Sequence, residues 1–211
     1  VVFNGITNLD VNRIAITGFV ENSSTIQYPF IKFAEIDVDG NIITTTTNDF
    51  IITTQSKSRA VSIVYGENNI FILTNNYTQL TDEINNCSVL KYEYDPFAFN
   101  IVFASKVDIN QDNGLKLSAT TGKSLALRFD NLYVFSNAET PKDPAPSGGG
   151  YWSSGFITNI AGASDNFPLG IVWKKVINLT NKSERLHRGI VTENGIYAVG
   201  QHSSVKYNSN N

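Results

Sequence analysis

The run SERLHRG, residues 183–189, brings Arg185, His187 and Arg188 within four positions, a cluster of donors that suits an anion or forms a charged turn. A second run, DINQDNG from Asp108 to Gly114, sets oxygen ligands at Asp108, Asn110 and Asp112, the alternate spacing of a calcium loop. Its glycine comes one place late and no acidic residue follows for bidentate ligation, so a solvated turn competes with calcium, the one cofactor the sequence offers. The longest irregular stretch, ETPKDPAPSGGGYWSSG over residues 139–155, reads as a loop without secondary structure of its own. Its aromatic pair, Tyr151 and Trp152, suits stacking on a sugar or filling a partner's pocket. Five sequons, at Asn22, Asn76, Asn86, Asn178 and Asn181, are acceptors for N-linked sugar where the host attaches it.

None of these assembles into catalytic machinery. The two histidines, His187 and His202, lack the paired spacing of a zinc site, and no nucleophile elbow, P-loop or dinucleotide fingerprint is present. Cys87 is the single cysteine, so no internal disulfide forms, and it reads as a small buried hydrophobe. With 16 Lys and Arg against 19 Asp and Glu, the net charge is -3, and no basic cluster marks a nucleic-acid partner. The sequence has neither a run of about 18 apolar residues nor a stretch that reads as a secretory signal, so membrane insertion is not expected. Asn, Ser, Thr and Tyr are plentiful while Lys and Glu are sparse, which points to an extracellular or cell-surface location. The sequence contains no methionine, so Val1 is not expected to be the start of translation.

The elements that must position these residues form a repeat. Four phrases, RIAITGFVEN from Arg13, NIFILTNNYT from Asn69, NLYVFSNAET from Asn131 and GIYAVGQHSS from Gly195, follow one another at steps of 56, 62 and 64 residues. A short apolar strand and a tight turn precede each phrase, with Asn and Gly at the tips, where positive φ is needed. A second hairpin follows it, as in PFIKFAEIDVDGNIITTTT and SVLKYEYDPFAFNIVFASKV, in which Lys32 and Lys91 fall at matching places. Each full unit therefore reads as four antiparallel strands, A to D, and the fourth unit stops after strand B. No segment shows helical periodicity. The expectation is an all-β fold, a β-propeller of about three and a half blades at residues 1–55, 56–115, 116–182 and 183–211, with a β-sandwich of short strands as the alternative.

The run D/E-N-G/N-I-Y/F followed by K-hydrophobic-polar and then D-G-N-I resembles the bacterial and archaeal β-propeller repeats called SBBP repeats, whose G-N-I-Y-V-x-G strand precedes a K-L-D-x-x-G-N-x-x-W hairpin. Here Gly is missing from the strand in units two and three, and Trp stands in the last strand only once, as Trp173. The resemblance implies a propeller fold and an exported location, and carries no catalytic residue across.

In such a blade the B–C loops and D–A connections share one face, which holds the longest irregular stretches and is the expected recognition surface. Three and a half blades do not close a ring, so other protein chains, or further copies, are expected to complete it. The function this supports is a non-catalytic exported module, a structural or binding component of a cell-surface or extracellular assembly. A glycan-binding lectin or adhesin is the alternative within binding, and a propeller glycoside hydrolase the alternative among enzymes.

Overall fold

The computed structural model describes residues 1–21, 27–45, 50–52, 57–77, 84–109, 120–141, 151–164, 167–177 and 184–202. Among them every regular element is a strand, and all pairing is antiparallel. The first sheet holds β1 (Val2–Asn8), β2 (Arg13–Glu21), β3 (Gln27–Ile36) and a last strand broken into β4 (Ile42–Thr45) and β5 (Phe50–Ile51), both paired with β3. The second holds β6 (Ser58–Gly66), β7 (Asn69–Tyr77), β8 (Ile84–Asp95) and β9 (Asn100–Ile109). The third holds β10 (Thr121–Arg128), β11 (Asn131–Pro141), β12 (Tyr151–Ala161) and β13 (Gly170–Ile177), and the fourth β14 (Glu184–Thr192) and β15 (Gly195–His202). Within each sheet, strands adjacent in sequence are adjacent in space, so the units read from the repeat are antiparallel meanders and the all-β expectation holds.

The turns carry the residues their geometry demands. Gly40 sits at φ +84 in the β3–β4 turn, where a side chain is strained. Asp37 closes that turn, its Oδ1 accepting the backbone N–H of Asp39 at 2.9 Å and of Asn41 at 2.7 Å. Hydrogen bonds from the Asn41 side chain and then from these backbone groups hold the Asp37 carboxyl below the usual carboxylate range. In the β6–β7 turn Glu67 and Asn68 take positive φ.

Alternation along the strands makes each sheet two-faced, and the faces pair in series. Along β7, Ile70 and Ile72 join a core with Ala15, Ile31 and Phe33 of the first sheet. Their neighbours Phe71 and Leu73 point the other way, into a core with Leu125, Leu132 and Val134 of the third sheet. Along β11 the same division sends Leu132 and Val134 towards the second sheet and Phe135 towards Leu186 of the fourth. Each later sheet therefore seats its first strand on the sheet before it. Strand β6 packs on β1, β2 and β3, strand β10 on β6, β7 and β8, and strand β14 on β10, β11 and β12.

The ladders correct two expectations. Lys32 stands opposite Ile16 and Lys91 opposite Phe71, whereas the repeat makes Ile72 the counterpart of Ile16. The two lysines are thus one position out of register, and a one-residue slip turns a side chain to the other face. Lys91 is 1% exposed, its Nζ donating to the carbonyls of Gly162 (3.0 Å), Ser164 (2.5 Å) and Phe167 (3.2 Å) in the β12–β13 loop. The stretch 139–155 is not wholly irregular either: β11 runs on to Pro141 and β12 begins at Tyr151, paired through Pro141↔Tyr151 and Thr140↔Trp152. Continued strand pairing satisfies backbone groups that a loop would leave to solvent.

Candidate functional site

Every first strand carries a β-bulge at the same place. The register shifts between Phe3 and Gly5, Ala60 and Ser62, Gly122 and Ser124, and Leu186 and Arg188. The four extra residues, Asn4, Val61, Lys123 and His187, fall at the third or fourth position of their strands, at the end from which the D–A connections enter. A bulge bends its strand and re-aims the side chain at that point. Here the bends converge: a cavity of about 470 Å³ is lined by Asn4 to Thr7 of β1, Val61 to Val64 of β6, Lys123 to Leu125 of β10, and His187 and Arg188 of β14.

The lining is polar and basic. Lys123, His187 and Arg188 face one opening together with the Asn4 amide and the Thr7 and Ser62 hydroxyls, and no carboxylate is present among the described lining residues. Lysine and arginine side chains beside neutral polar groups are the chemistry that suits an anion, through charge-assisted hydrogen bonds. Lys123 was not legible as a partner of His187 and Arg188, since it lies 64 residues before His187; the equal offset within the repeat is the signal that pairs them.

The serines next to the bulges stitch the strands around this cavity. Ser62 Oγ accepts the N–H of Leu125 at 3.1 Å, and Ser124 Oγ accepts the N–H of Gly189 at 3.1 Å. One strand further out, an asparagine of the second sheet and one of the third each clip the sheet that follows. Asn75 Oδ1 accepts the Gly122 N–H at 2.8 Å while its Nδ2 donates to the Gly122 carbonyl at 3.3 Å. Asn137 repeats this on Leu186, at 2.7 Å and 2.8 Å. Between the first two sheets Asn4 Nδ2 donates to the Ala60 carbonyl at 2.7 Å. Arg59 lies there between the rings of Phe19 and Tyr77, 4.9 and 4.8 Å from their centroids, with Nε donating to Gln27 Oε1 at 2.5 Å.

The structure divides the residues singled out in the sequence. His187 and Arg188 line the cavity; Arg185, on β14 and exposed, is not among the lining residues. Tyr151 and Trp152 have strand backbone, and their side chains lie outside the described residues. Asp108 is in strand β9 rather than a loop, accepts the Ser88 hydroxyl at 2.5 Å and pairs with Lys106 at 2.9 Å. Asn110 and Asp112 lie outside the described residues, among which no group of three or more His, Cys, Asp or Glu comes together to hold a metal. Of the sequons, Asn76 and Asn86 are directly opposed across β7 and β8, with Asn76 Nδ2 donating to Asn86 Oδ1 and to Ser88 Oγ, both at 2.7 Å. Asn22, Asn178 and Asn181 lie outside the described residues. Cys87 is fully buried in the core between the second and third sheets, and burial pushes its thiol up to about 12.

No protein-family model, curated protein or solved structure matches this chain.

Proposed function

We propose that this chain is a non-catalytic, exported repeat module of β-propeller type, a structural or binding component of a cell-surface or extracellular assembly. Its four sheets would be successive blades around an axis lined by β1, β6, β10 and β14. The observation that carries this reading is the threefold recurrence of one sheet-to-sheet relation: first strand seated on the preceding sheet, bulge at the same position, cavity where the bulges meet. Rigid sheets with connections gathered at one end present a recognition surface, and that face of B–C and D–A connections is the one expected to meet a partner.

The test has two arms. Electron microscopy of the intact assembly is expected to show a ring with an axial channel; sheets stacked without a common axis would sink the propeller reading. Glycan-array binding that disappears in Trp152→Ala would move the function to a lectin, and turnover of a glycoside panel would move it to a hydrolase.

A further inference from the structure

The two end sheets carry the halves of an interface that the chain makes three times within itself. On the face each sheet turns to the next, the first two strands contribute a triad: Val64, Phe71 and Leu73 in the second sheet, Ala126, Tyr133 and Phe135 in the third. Phe71, Leu73 and Phe135 are wholly buried beneath the following sheet. The equivalent triad of the fourth sheet is Ile190, Tyr197 and Val199, with the same pairing of Ile190 opposite Tyr197, and it is 57%, 53% and 66% exposed. On the receiving side, Ile63 of β6 and Leu125 of β10 are 4% and 6% exposed, seated on the preceding sheet, while their counterpart on β1, Ile6, is 63% exposed. The polar clip repeats as well. Gln201 holds the position of Asn75 and Asn137, and Phe3, at the bulge of β1, holds that of the clipped Gly122 and Leu186.

We infer that a second copy of this chain docks head to tail, seating its β1 on the outward face of β14 and β15. Ile6 of the incoming copy covers Tyr197 and Val199, and the Gln201 amide meets the backbone of its Phe3. Continuity with the internal interfaces identifies the occupant: the exposed face has the residue pattern of a donor sheet, and β1 of the same chain has that of an acceptor. Among the described residues two copies joined at both ends bring together eight sheets, two of them of only two strands, and rings of this kind close at about four to eight blades. This rests on the propeller-type reading and specifies its partner.

Analytical ultracentrifugation of the 211-residue chain is expected to give twice the 23.2 kDa chain mass. Val199→Asp and Ile6→Asp each place a charge in the interface and are expected to weaken self-association by about tenfold or more. Both positions are exposed in the single chain, so circular dichroism of each variant is expected to match the unsubstituted chain. Mixing the two variants is the diagnostic step, because a head-to-tail pair then keeps one interface with neither substitution and association returns. The inference is overturned by a folded monomer that does not associate, by a dimer indifferent to both substitutions, or by variants that fail to rescue each other. A folded monomer removes the second copy as occupant and leaves the propeller-type reading to the imaging test.

Discussion

At the scale of single residues, two buried groups set a limit on alkaline stability. Burial raises the Cys87 thiol from 9.0 to about 12 and the Tyr92 phenol from 10.0 to about 12. Both are acids that the fold keeps neutral, so between about pH 9 and 12 the unfolded chain gives up protons that the folded chain retains. Stability is then expected to fall with rising pH, by at most about 1.4 kcal/mol per pH unit for each group. Denaturant midpoints from pH 8 to 11 check this, and a flat profile would count against it. The same burial predicts that Cys87 resists a thiol reagent at pH 8 until the protein unfolds. Lys91 is buried with its Nζ donating to three carbonyls. Lys91→Met keeps its length and leaves those carbonyls without a donor, with an expected loss of about 1–3 kcal/mol. At the cavity, Lys123→Ala and Arg188→Ala are each expected to weaken binding of inorganic phosphate, measured by calorimetry at low salt. Equal heats in variant and parent would remove the anion site.

At the scale of elements, the asparagine clips carry the register between sheets. Asn75 and Asn137 each satisfy both backbone groups of one residue on the next sheet, and each is buried. Asn75→Ala is expected to destabilise the chain by about 1–3 kcal/mol, since it leaves a buried N–H and carbonyl unpaired. Asn75→Asp keeps the acceptor, loses the donor and is expected to cost at least as much. Chemical denaturation reads both, and an unchanged midpoint in Asn75→Ala would show that the clip contributes nothing. The strands themselves were legible: β2, β7, β11 and β15 begin at Arg13, Asn69, Asn131 and Gly195, where the repeated phrases begin. The bulges were not, because an inserted residue in a strand of polar and β-branched residues leaves alternation broken at one point only, with no change of composition. The alignment of Lys32 with Lys91 failed for a related reason. Like residues in like phrases suggested equivalence, but backbone pairing sets the register, and it differs by one.

At the scale of the whole molecule, what distinguishes the chain is serial packing with unmatched ends. Each internal sheet buries apolar residues on both faces of its second strand, whereas the outward face of the fourth sheet and the receiving strand of the first keep their apolar residues in solvent. An uncovered face of this kind favours association. Separate sheets also predict a mode of unfolding. Arg59, stacked between Phe19 and Tyr77, ties the first sheet to the second, so Arg59→Ala is expected to loosen that junction by about 1–2 kcal/mol. Hydrogen exchange is expected to rise in the first sheet and β6 before it rises in β11 and β12. Uniform loss of protection would show one cooperative unit instead.

By itself the sequence determined the strands, their antiparallel order and the length of the repeat, because these follow from local alternation and from turn residues that tolerate positive φ. It also offered His187 and Arg188 as a pair, since neighbours in sequence stay neighbours in space. Only the tertiary structure decided that Lys123, Asn4 and Ser62 join them, that Arg185 is not among the cavity's lining residues and that Asp108 belongs to a strand. Those outcomes depend on how the bulges bend four first strands towards one another and on which face each ladder turns to its neighbour. Both are set by packing between residues some 60 positions apart, which no local pattern encodes.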